Sequence, residues 1–495
     1  MVALSQATLS SLPKRIKKPE YDRAALTAGI VHISVGNFHR AHQAAYVDRC
    51  LTLPDQSSWG ICGMGVVDSP SERAKAEALG RQDGLYSLTL YPPHSGPTCR
   101  IIGSIVDYVF APDDPAGAVA KLADPAVRIV SMTITEGGYN IDEATGRFRL
   151  DAPEIARDLA NPDAPRSVVG LVTAALERRR AAGTRPFTLL SCDNLVQNGE
   201  VLRKAVLAFA EARDPALAAW IDAKVTFPNS MVDRITPAIQ PADRARLNEL
   251  NQIEDEIPVY AEEFGQWLIE DRFCAGRPAL QQGGARFTTD VKPLEQLKLR
   301  ILNASHSMLA YPGLLGGYEF VHQVMNDVRI LWLLRSFLDR DVIPQLEPSP
   351  AMPPEAYRDI VLERFYNPNI ADQLSRIAAD GASKIPVFIG ETLRGRIDAG
   401  GDLRRLAFLL AAFTQYLAGA GDKGAGITPH EPRLSAADLA LAGSADLVAP
   451  LRLGPLQSLR LDRSEAFVDT YVRYRKAIAA DGTLPTLGAL AREGG

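Results

Sequence analysis

Short apolar runs alternate with helical patterns through the first half of the chain. The runs are IVHISV at residues 30–35, WGICGMGVV at 59–67, VRIVSMTIT at 127–135 and FTLLSCDN at 187–194. Such runs suit strands that are buried on both faces, as in a parallel sheet. Helical patterns occupy residues 114–124, 167–183 and 199–212. The alternation of strand and helix predicts a doubly wound α/β domain.

The pattern changes after residues 272–293, a connection that contains Gly, Pro and Thr. Beyond it, β-branched runs are few and helical patterns are frequent, for example RILWLLRSFLDR at 329–340 and LRRLAFLLAAFTQYLAG at 403–419. We therefore expect an α/β domain over residues 1–285 and a mostly α-helical domain over residues 286–495. A chain of 495 residues that is 46% hydrophobic is long enough for two packed cores.

Charge and cysteine content exclude several classes of protein. The net charge of −5 includes no basic block, so a nucleic-acid partner is not expected. The five cysteines are scattered, which argues against a disulfide framework and against structural zinc. The N-terminus MVALSQATLSSLPKRIKK lacks the apolar core of a signal peptide, and no run reaches the roughly 18 apolar residues of a membrane span. We expect a cytoplasmic protein that binds no membrane.

The stretch HISVGNFHRAHQ, residues 32–43, follows the first predicted strand where a dinucleotide-binding fold would place its phosphate-binding turn. Only one glycine of the usual three is present, but serine hydrogen-bonds phosphate and asparagine tolerates the left-handed conformation. A strand, turn and helix without a ligand is the alternative, in which Arg40 is a solvated polar residue. The candidate cofactor-binding residues here are Ser34, Gly36, Asn37, Phe38 and Arg40.

Asp68 follows the second predicted strand, where a dinucleotide fold offers a carboxylate to the adenosine ribose. A carboxylate there repels a 2′-phosphate, which favours NAD over NADP. The spacing from Gly36 is longer than the usual value of about 20 residues, and the nearby Arg73 weakens the preference.

The segment LEQLKLRILNASHSMLA, residues 294–310, holds the groups with the clearest chemistry. On an α-helical wheel, Leu294, Leu297, Ile301 and Met308 form one narrow apolar face. The opposite arc mixes leucines with Lys298, Glu295, His306 and Asn303. This mixture indicates a face that lines a partly dry cleft, although a solvated face is the alternative.

In such a cleft the neutral form of Lys298 is favoured, so the lysine can act as a general base. The amide of Asn303 supplies donors for the oxygen that loses its proton. Glu295 either passes the proton to water or forms an i, i+3 ion pair with Lys298. Together with a dinucleotide cofactor, these groups suggest alcohol oxidation.

Two polar loops follow later strands: TITEGGYN at 133–140 and SCDNLVQNG at 191–199. Ligands collect at the carboxyl ends of parallel strands, so Thr135, Glu136 and Asn194 are candidate site residues, with ordinary turns as the alternative. No tyrosine is followed by a lysine four residues on, which excludes the short-chain dehydrogenases. No Cys/His set fits a zinc-dependent alcohol dehydrogenase, so no metal is expected.

The chain resembles the polyol-specific long-chain dehydrogenases over nearly its whole length. The resemblance rests on FHRAHQ, TITEGGY, SCDN followed by NG, FPNSMVDRITP, and the Lys-x-x-x-x-Asn-x-x-His spacing. It implies a Rossmann-type N-terminal domain, a helical C-terminal domain, an active site between them, and metal-independent, NAD-linked interconversion of a polyol and its 2-ketose. It also implies a monomer. The family usually has glycine at the positions of Ser34 and Asn37, which puts the affinity for the cofactor in question.

By the same resemblance, Lys298 is the general base, Asn194 and Asn303 bind the oxyanion, and His306 orients substrate hydroxyls. The residues that match polyol-contacting positions are Asp233, Arg376 and Lys384. Uronate reductases share the Lys/Asn/His spacing, and Arg376 with Lys384 would suit their carboxylate substrate. We favour a neutral hexitol, with D-mannitol oxidised to D-fructose and D-arabinitol or sorbitol as co-substrates. A third hypothesis is a non-catalytic NAD-binding protein. The polar arc that contains Lys298, Asn303 and His306 argues against it.

Overall fold

The computed structural model describes residues 1–142, 145–347, 352–419, 421–422 and 426–494. The chain divides into two compact units, Met1–Lys292 and Pro293–Gly495. The division lies beyond the expected residue 285 because strand Arg286–Thr288 pairs in parallel with strand Gln266–Glu270 of the first unit.

The first unit contains all the strands found in the described residues. They are β1 (Val2–Ala3), β2 (Ala28–Ile33), β3 (Gly60–Gly65), β4 (Tyr86–Tyr91), β5 (Thr98–Ile102), β6 (Ile105–Phe110), β7 (Ile129–Met132), β8 (Thr188–Ser191), β9 (Ser230–Asp233), β10 (Ile253–Glu254), β11 (Val259–Glu262), β12 (Gln266–Glu270) and β13 (Arg286–Thr288). Its helices are α1 (Asn37–Ala41), α2 (Gln43–Cys50), α3 (Pro70–Arg81), α4 (Pro115–Ala123), α5 (Pro153–Ala160), α6 (Val168–Ala181), α7 (Asn198–Arg213), α8 (Pro215–Lys224) and α9 (Pro241–Asn251).

A parallel sheet in the order β6-β3-β2-β7-β8 forms the centre of the first unit. Strands β2, β3, β7 and β8 are buried on both faces, as their apolar runs predict. Neighbouring residues enter different cores: Val31 packs in the core that contains α4, α6 and α7, and Ile30 packs in the core that contains α1 and α2. Helices on both faces make the domain doubly wound, which confirms the predicted fold class.

Side-chain caps fix where several helices of this unit begin. Ser69 accepts a hydrogen bond from the backbone N–H of Glu72 at the start of α3, and Ser167 accepts one from Gly170 at the start of α6. Pro70 occupies the first turn of α3, where its missing N–H costs nothing. Each cap satisfies an N–H that the helix itself leaves without a partner.

The described part of the second unit is helical, as expected. Its helices are α10 (Lys292–Leu297), α11 (Ala304–Leu315), α12 (Val321–Val324), α13 (Val328–Phe337), α14 (Pro354–Phe365), α15 (Leu374–Ala378), α16 (Gly381–Phe388), α17 (Gly390–Asp398), α18 (Arg404–Leu417), α19 (Ala436–Ala442), α20 (Glu465–Asp481) and α21 (Thr483–Glu493). Helix α11 packs against α13, α15, α16 and α18 and is almost entirely buried. Among the described residues, no helix combines the length and the apolar character needed to cross a membrane.

Candidate active site

The turn after β2 is built around Ser34, whose backbone is left-handed with φ of 70°. Gly36 has φ of −82°, and a Cβ added there would meet nothing within 4 Å. The protein's own packing therefore does not require a glycine at residue 36. A ligand that approaches the backbone closely at this position would require one, because any side chain would be in its way. Asn37 begins α1 with helical backbone, so Ser34, and not Asn37, occupies the position that favours glycine.

Hydrogen bonds from three strands hold Ser34 in this conformation. Its N–H donates to the carbonyl of Met64 at 2.8 Å, and its carbonyl accepts from Thr133 Oγ1 at 2.9 Å. Because the Thr133 hydroxyl donates to Ser34, it accepts from His32 Nε2 at 3.1 Å, and His32 Nδ1 accepts from Ser131 Oγ at 2.8 Å. Burial lowers the pKa of His32 to about 3, so the ring is neutral and its tautomer is fixed.

We predict that Ser34→Gly raises the free energy of unfolding by roughly 1 kcal/mol, because glycine adopts a positive φ without the steric cost of a side chain. Urea denaturation of the purified chain measures this change. Asn37→Gly is the matched control, and it is expected to lower stability by about the same amount because residue 37 is helical. A less stable Ser34→Gly protein would show that the serine side chain, and not its φ, dominates at this position.

Arg40 is buried, so the alternative in which it is a solvated residue is wrong. Its guanidinium donates to the carbonyl of Ile257 and, at 2.7 Å, to Asn37 Oδ1. Phe38 stacks on His42 with ring centroids 5.0 Å apart. Both side chains brace the turn from within the first unit, and their contact with a cofactor stays a prediction.

Asp68 is exposed beyond the end of β3 and is paired with Arg73, with a shortest distance of 2.9 Å. Arg73 also pairs with Asp113 at 2.8 Å and lies over the ring of Phe110 at 4.8 Å from its centroid. A cavity of about 350 Å³ adjoins Asp68 and is lined by residues beyond the ends of β3 and β6 and by Gly137 and Gly138. It lies at the carboxyl edge of the parallel sheet, where such folds bind nucleotides.

The loop that contains Thr135 and Glu136 is anchored by Asp193, a residue that the sequence analysis did not single out. Its carboxylate accepts from the N–H of Ile134 at 3.0 Å, from the N–H of Thr135 at 2.9 Å and from Tyr139 Oη at 2.6 Å. Burial raises the pKa of Asp193, and these donors oppose the rise. Thr135 is exposed and has φ of 59°, a strained value that the buried carboxylate maintains.

Two further predicted residues also follow strands of the first unit. Asn194 is exposed beyond the end of β8, next to Asp193. Asp233 is buried at the end of β9, opposite Gln266 of β12 in a separate sheet. The carboxyl edge of the parallel sheet therefore gathers the loops of Ser34, Asp68, Thr135 and Asn194, while Asp233 comes from another sheet.

In the second unit, Lys298 and Asn303 are the first and last residues of a π-helical turn that joins α10 to α11. The assumption of one continuous α-helix over residues 294–310 is therefore wrong. In a π turn the hydrogen bonds join residues i and i+5, so side chains five apart lie above one another. Lys298 and Asn303 thus share a face, which a regular α-helix would not give them. Single π turns inside α-helices are frequent at functional sites.

The side chains around this turn are shielded from water. Lys298 and Asn303 are each 8% exposed and Glu295 is 5% exposed, which excludes the alternative of a solvated face. His306, in the first turn of α11, stacks on Phe365 of α14 with ring centroids 4.7 Å apart. A buried amine, an amide and an oriented imidazole are therefore close together along one helix.

Arg376 and Lys384 lie on α15 and α16 of the same unit. The exposed guanidinium of Arg376 is paired with Asp372, with contacts of 2.6 to 2.9 Å. Lys384 Nζ donates to the carbonyls of Ile377 and Ala379, at 3.2 and 2.6 Å. Both cations are thus engaged by acceptors of their own segment.

Within the parts of the chain that the structure describes, no group of three or more His, Cys, Asp or Glu side chains is arranged to hold a metal ion. The polar groups that the π turn and the start of α11 bring together are an amine, an amide and an imidazole. A first unit with a doubly wound parallel sheet, followed by a helical unit that carries these groups, is typical of a dinucleotide-dependent dehydrogenase.

Comparison with known proteins identifies the family. The chain matches the Mannitol dehydrogenase Rossmann domain over residues 28–282 and the Mannitol dehydrogenase C-terminal domain over residues 290–472. It belongs to the mannitol dehydrogenase family, which confirms the resemblance seen in the sequence.

Similar proteins cover nearly the whole chain. The polyol:NADP oxidoreductase of Gluconobacter oxydans is 45% identical over 98% of this chain and 100% of its own. The mannitol 2-dehydrogenase of Phaeosphaeria nodorum is 42% identical over 87% of this chain and 75% of its own. A ternary complex of Pseudomonas fluorescens mannitol 2-dehydrogenase with NAD and D-mannitol is 40% identical, has a TM-score of 0.90, and is matched over 99% of this chain and 100% of its own.

Proposed function

We propose that this protein catalyses the reversible, NAD-dependent oxidation of D-mannitol to D-fructose without a metal. The observation that carries the proposal is the π turn on which the buried Lys298 and Asn303 share a face. The Pseudomonas fluorescens relative, with NAD and D-mannitol bound, supports the choice of cofactor and substrate.

Each residue has a proposed task in the oxidation. Lys298, in its neutral form, accepts the proton of the C2 hydroxyl. Asn303 and Asn194 donate N–H groups to the oxygen that loses this proton, and His306, held by Phe365, orients substrate hydroxyls. Glu295, buried one turn before the lysine, is proposed to pass the proton to water. NAD, when bound, supplies the hydride acceptor.

The first unit fits a dinucleotide. The open space above Gly36 admits a phosphate close to the backbone, and the cavity beside Asp68 offers a carboxylate to the ribose hydroxyls. A 2′-phosphate would be repelled by Asp68, but Arg73 offsets part of that charge. The Gluconobacter oxydans relative is named for NADP, so we propose a preference for NAD, and not an absolute requirement.

A neutral polyol fits the second unit better than a uronate does. A carboxylate substrate needs an available cation, and Arg376 is already paired with Asp372 while Lys384 is bound to backbone carbonyls. We further propose a monomer, as the family resemblance implies, and a cytoplasmic location, which the five scattered free cysteines favour.

We predict that D-mannitol with NAD gives the highest kcat/KM among D-mannitol, D-arabinitol and sorbitol, and that fructuronate with NADH gives less. The lower value for fructuronate follows from the pairing of Arg376 with Asp372, and the preference for D-mannitol follows from the Pseudomonas fluorescens relative that has it bound. Absorbance of the reduced nicotinamide measures turnover with every substrate. Absence of turnover with the whole panel would refute an enzyme of this kind, and a clear preference for fructuronate would replace the polyol by a uronate.

A further inference from the structure

The π turn carries a buried arginine that the proposed chemistry does not use. Arg300 lies between Lys298 and Asn303, and its side chain is 4% exposed. Its Nε and Nη2 atoms donate to Thr392 Oγ1 of α17, at 3.2 and 3.0 Å. Nη2 also donates to Gln345 Oε1 at 3.2 Å, and Nη1 lies 3.4 Å from the Gln345 carbonyl. The arginine therefore joins the π turn to two other segments of the same unit.

Burying this guanidinium is unfavourable, because its ionic partner, the exposed Glu391, stabilises the charge only weakly. Desolvation lowers the pKa of Arg300, and Glu391 opposes the shift from 3.3 Å with a side chain that is 59% exposed. A buried charge is tolerated only where hydrogen bonds in good geometry replace its water. The planar fork of arginine makes those bonds directional. The segment that carries Arg300 is consequently held in one orientation relative to Thr392 and Gln345.

That orientation matters for the two functional side chains of the turn. In a regular α-helix, at about 100° per residue, residues 298 and 303 would point roughly 140° apart. The π turn places them on one face, at the cost of a local geometry that is less favourable than the α-helix. Some interaction must offset that cost, and the hydrogen bonds of Arg300 are made from within the turn itself.

We propose that Arg300 is a positioning residue for the base: by binding Thr392 and Gln345 it holds the π turn open, and so keeps Asn303 on the face of Lys298. The proposal rests on the proposed function of Lys298 and Asn303. It assigns Arg300 no contact with substrate or cofactor.

The test compares Thr392→Val, which is close in shape but lacks the hydroxyl, with Thr392→Ser, which keeps it. We expect kcat of Thr392→Val to fall about tenfold or more while KM for D-mannitol changes less than threefold, since a misplaced base affects the chemical step. The pH profile of kcat should change with it. Thr392→Ser should have the kcat and the pH profile of the wild type. In hydrogen exchange, amides 298–303 should exchange faster in Thr392→Val and not in Thr392→Ser.

Equal kcat in Thr392→Val and the wild type, or equal losses in the valine and serine variants, would overturn the proposal. Circular dichroism and urea unfolding of the whole chain check that the second unit, which contains Thr392, is folded in the variants. If Thr392→Val does not fold, Arg300→Lys takes its place, because it keeps the charge and loses the fork. Hydrogen exchange does not depend on turnover, so unchanged exchange refutes the role of Arg300 even if D-mannitol is not the substrate.

Discussion

Lys298→Ala is expected to lower kcat for polyol oxidation by about 10² or more, the range associated with losing a general base. If Lys298 is the base, alanine leaves the C2 hydroxyl without an acceptor for its proton at the buried start of the π turn. Oxidation by the wild type should rise with pH as the lysine loses its proton, and this dependence should disappear in the variant. Steady-state rates at a series of pH values between about 6 and 10 measure both effects.

Two controls make the result specific to Lys298. Lys292→Ala removes an exposed lysine from the start of the same helix and should leave kcat unchanged. Binding of NADH to Lys298→Ala should match the wild type, because the predicted cofactor residues lie in the first unit. If Lys298→Ala oxidises polyol within about tenfold of the wild-type rate, the lysine is not the base.

Asp193→Ala should be the most damaging change in the first unit. It removes a buried carboxylate that accepts from the N–H groups of Ile134 and Thr135 and from Tyr139 Oη. The two N–H groups lose this acceptor, whereas the Tyr139 hydroxyl keeps its hydrogen bond with Ser191 Oγ. We expect a loss of about 3–5 kcal/mol in the free energy of unfolding, since hydrogen bonds to a charged group are worth more than neutral ones. The loop of Thr135 should also lose its strained conformation, which raises KM for NAD.

Urea denaturation and cofactor titration test this prediction together. Asp193→Asn is the intermediate variant, because its single side-chain oxygen serves fewer donors. Tyr139→Phe removes one donor and should be milder than Asp193→Ala, since the N–H groups of Ile134 and Thr135 keep their acceptor. Unchanged stability in Asp193→Ala would mean that water takes over from the carboxylate in this loop.

Four strands of the parallel sheet, β2, β3, β7 and β8, could be predicted because each is buried on both faces and reads as a short apolar run. Strand β6 was not predicted, because most of its residues are only half-buried. Once those strands are parallel, the loops that carry Ser34, Asp68, Thr135 and Asn194 must meet at one edge. Local pattern and the rule for parallel sheets are therefore sufficient to bring together the candidate residues of the first unit.

The π turn could not be predicted from the sequence, because a helical wheel assumes a constant angle per residue. The interactions that accompany the turn are distant in sequence: Arg300 bonds to Gln345 and Thr392, which no periodicity connects to residue 300. Asp193 was missed for the same reason, since its backbone donors lie in another loop. A buried polar group is recognised by its partners, and those are known only in the folded chain.

The neutral His32 beneath the turn of Ser34 affects how the pH dependence of the rate is interpreted. With its pKa at about 3, the ring does not change charge over the pH range in which dehydrogenases are assayed. The hydrogen bonds that run from Ser131 through His32 and Thr133 to Ser34 therefore keep the same donors and acceptors over this pH range. An inflection in the pH–rate profile can then be assigned to groups other than His32 and its hydrogen-bond partners.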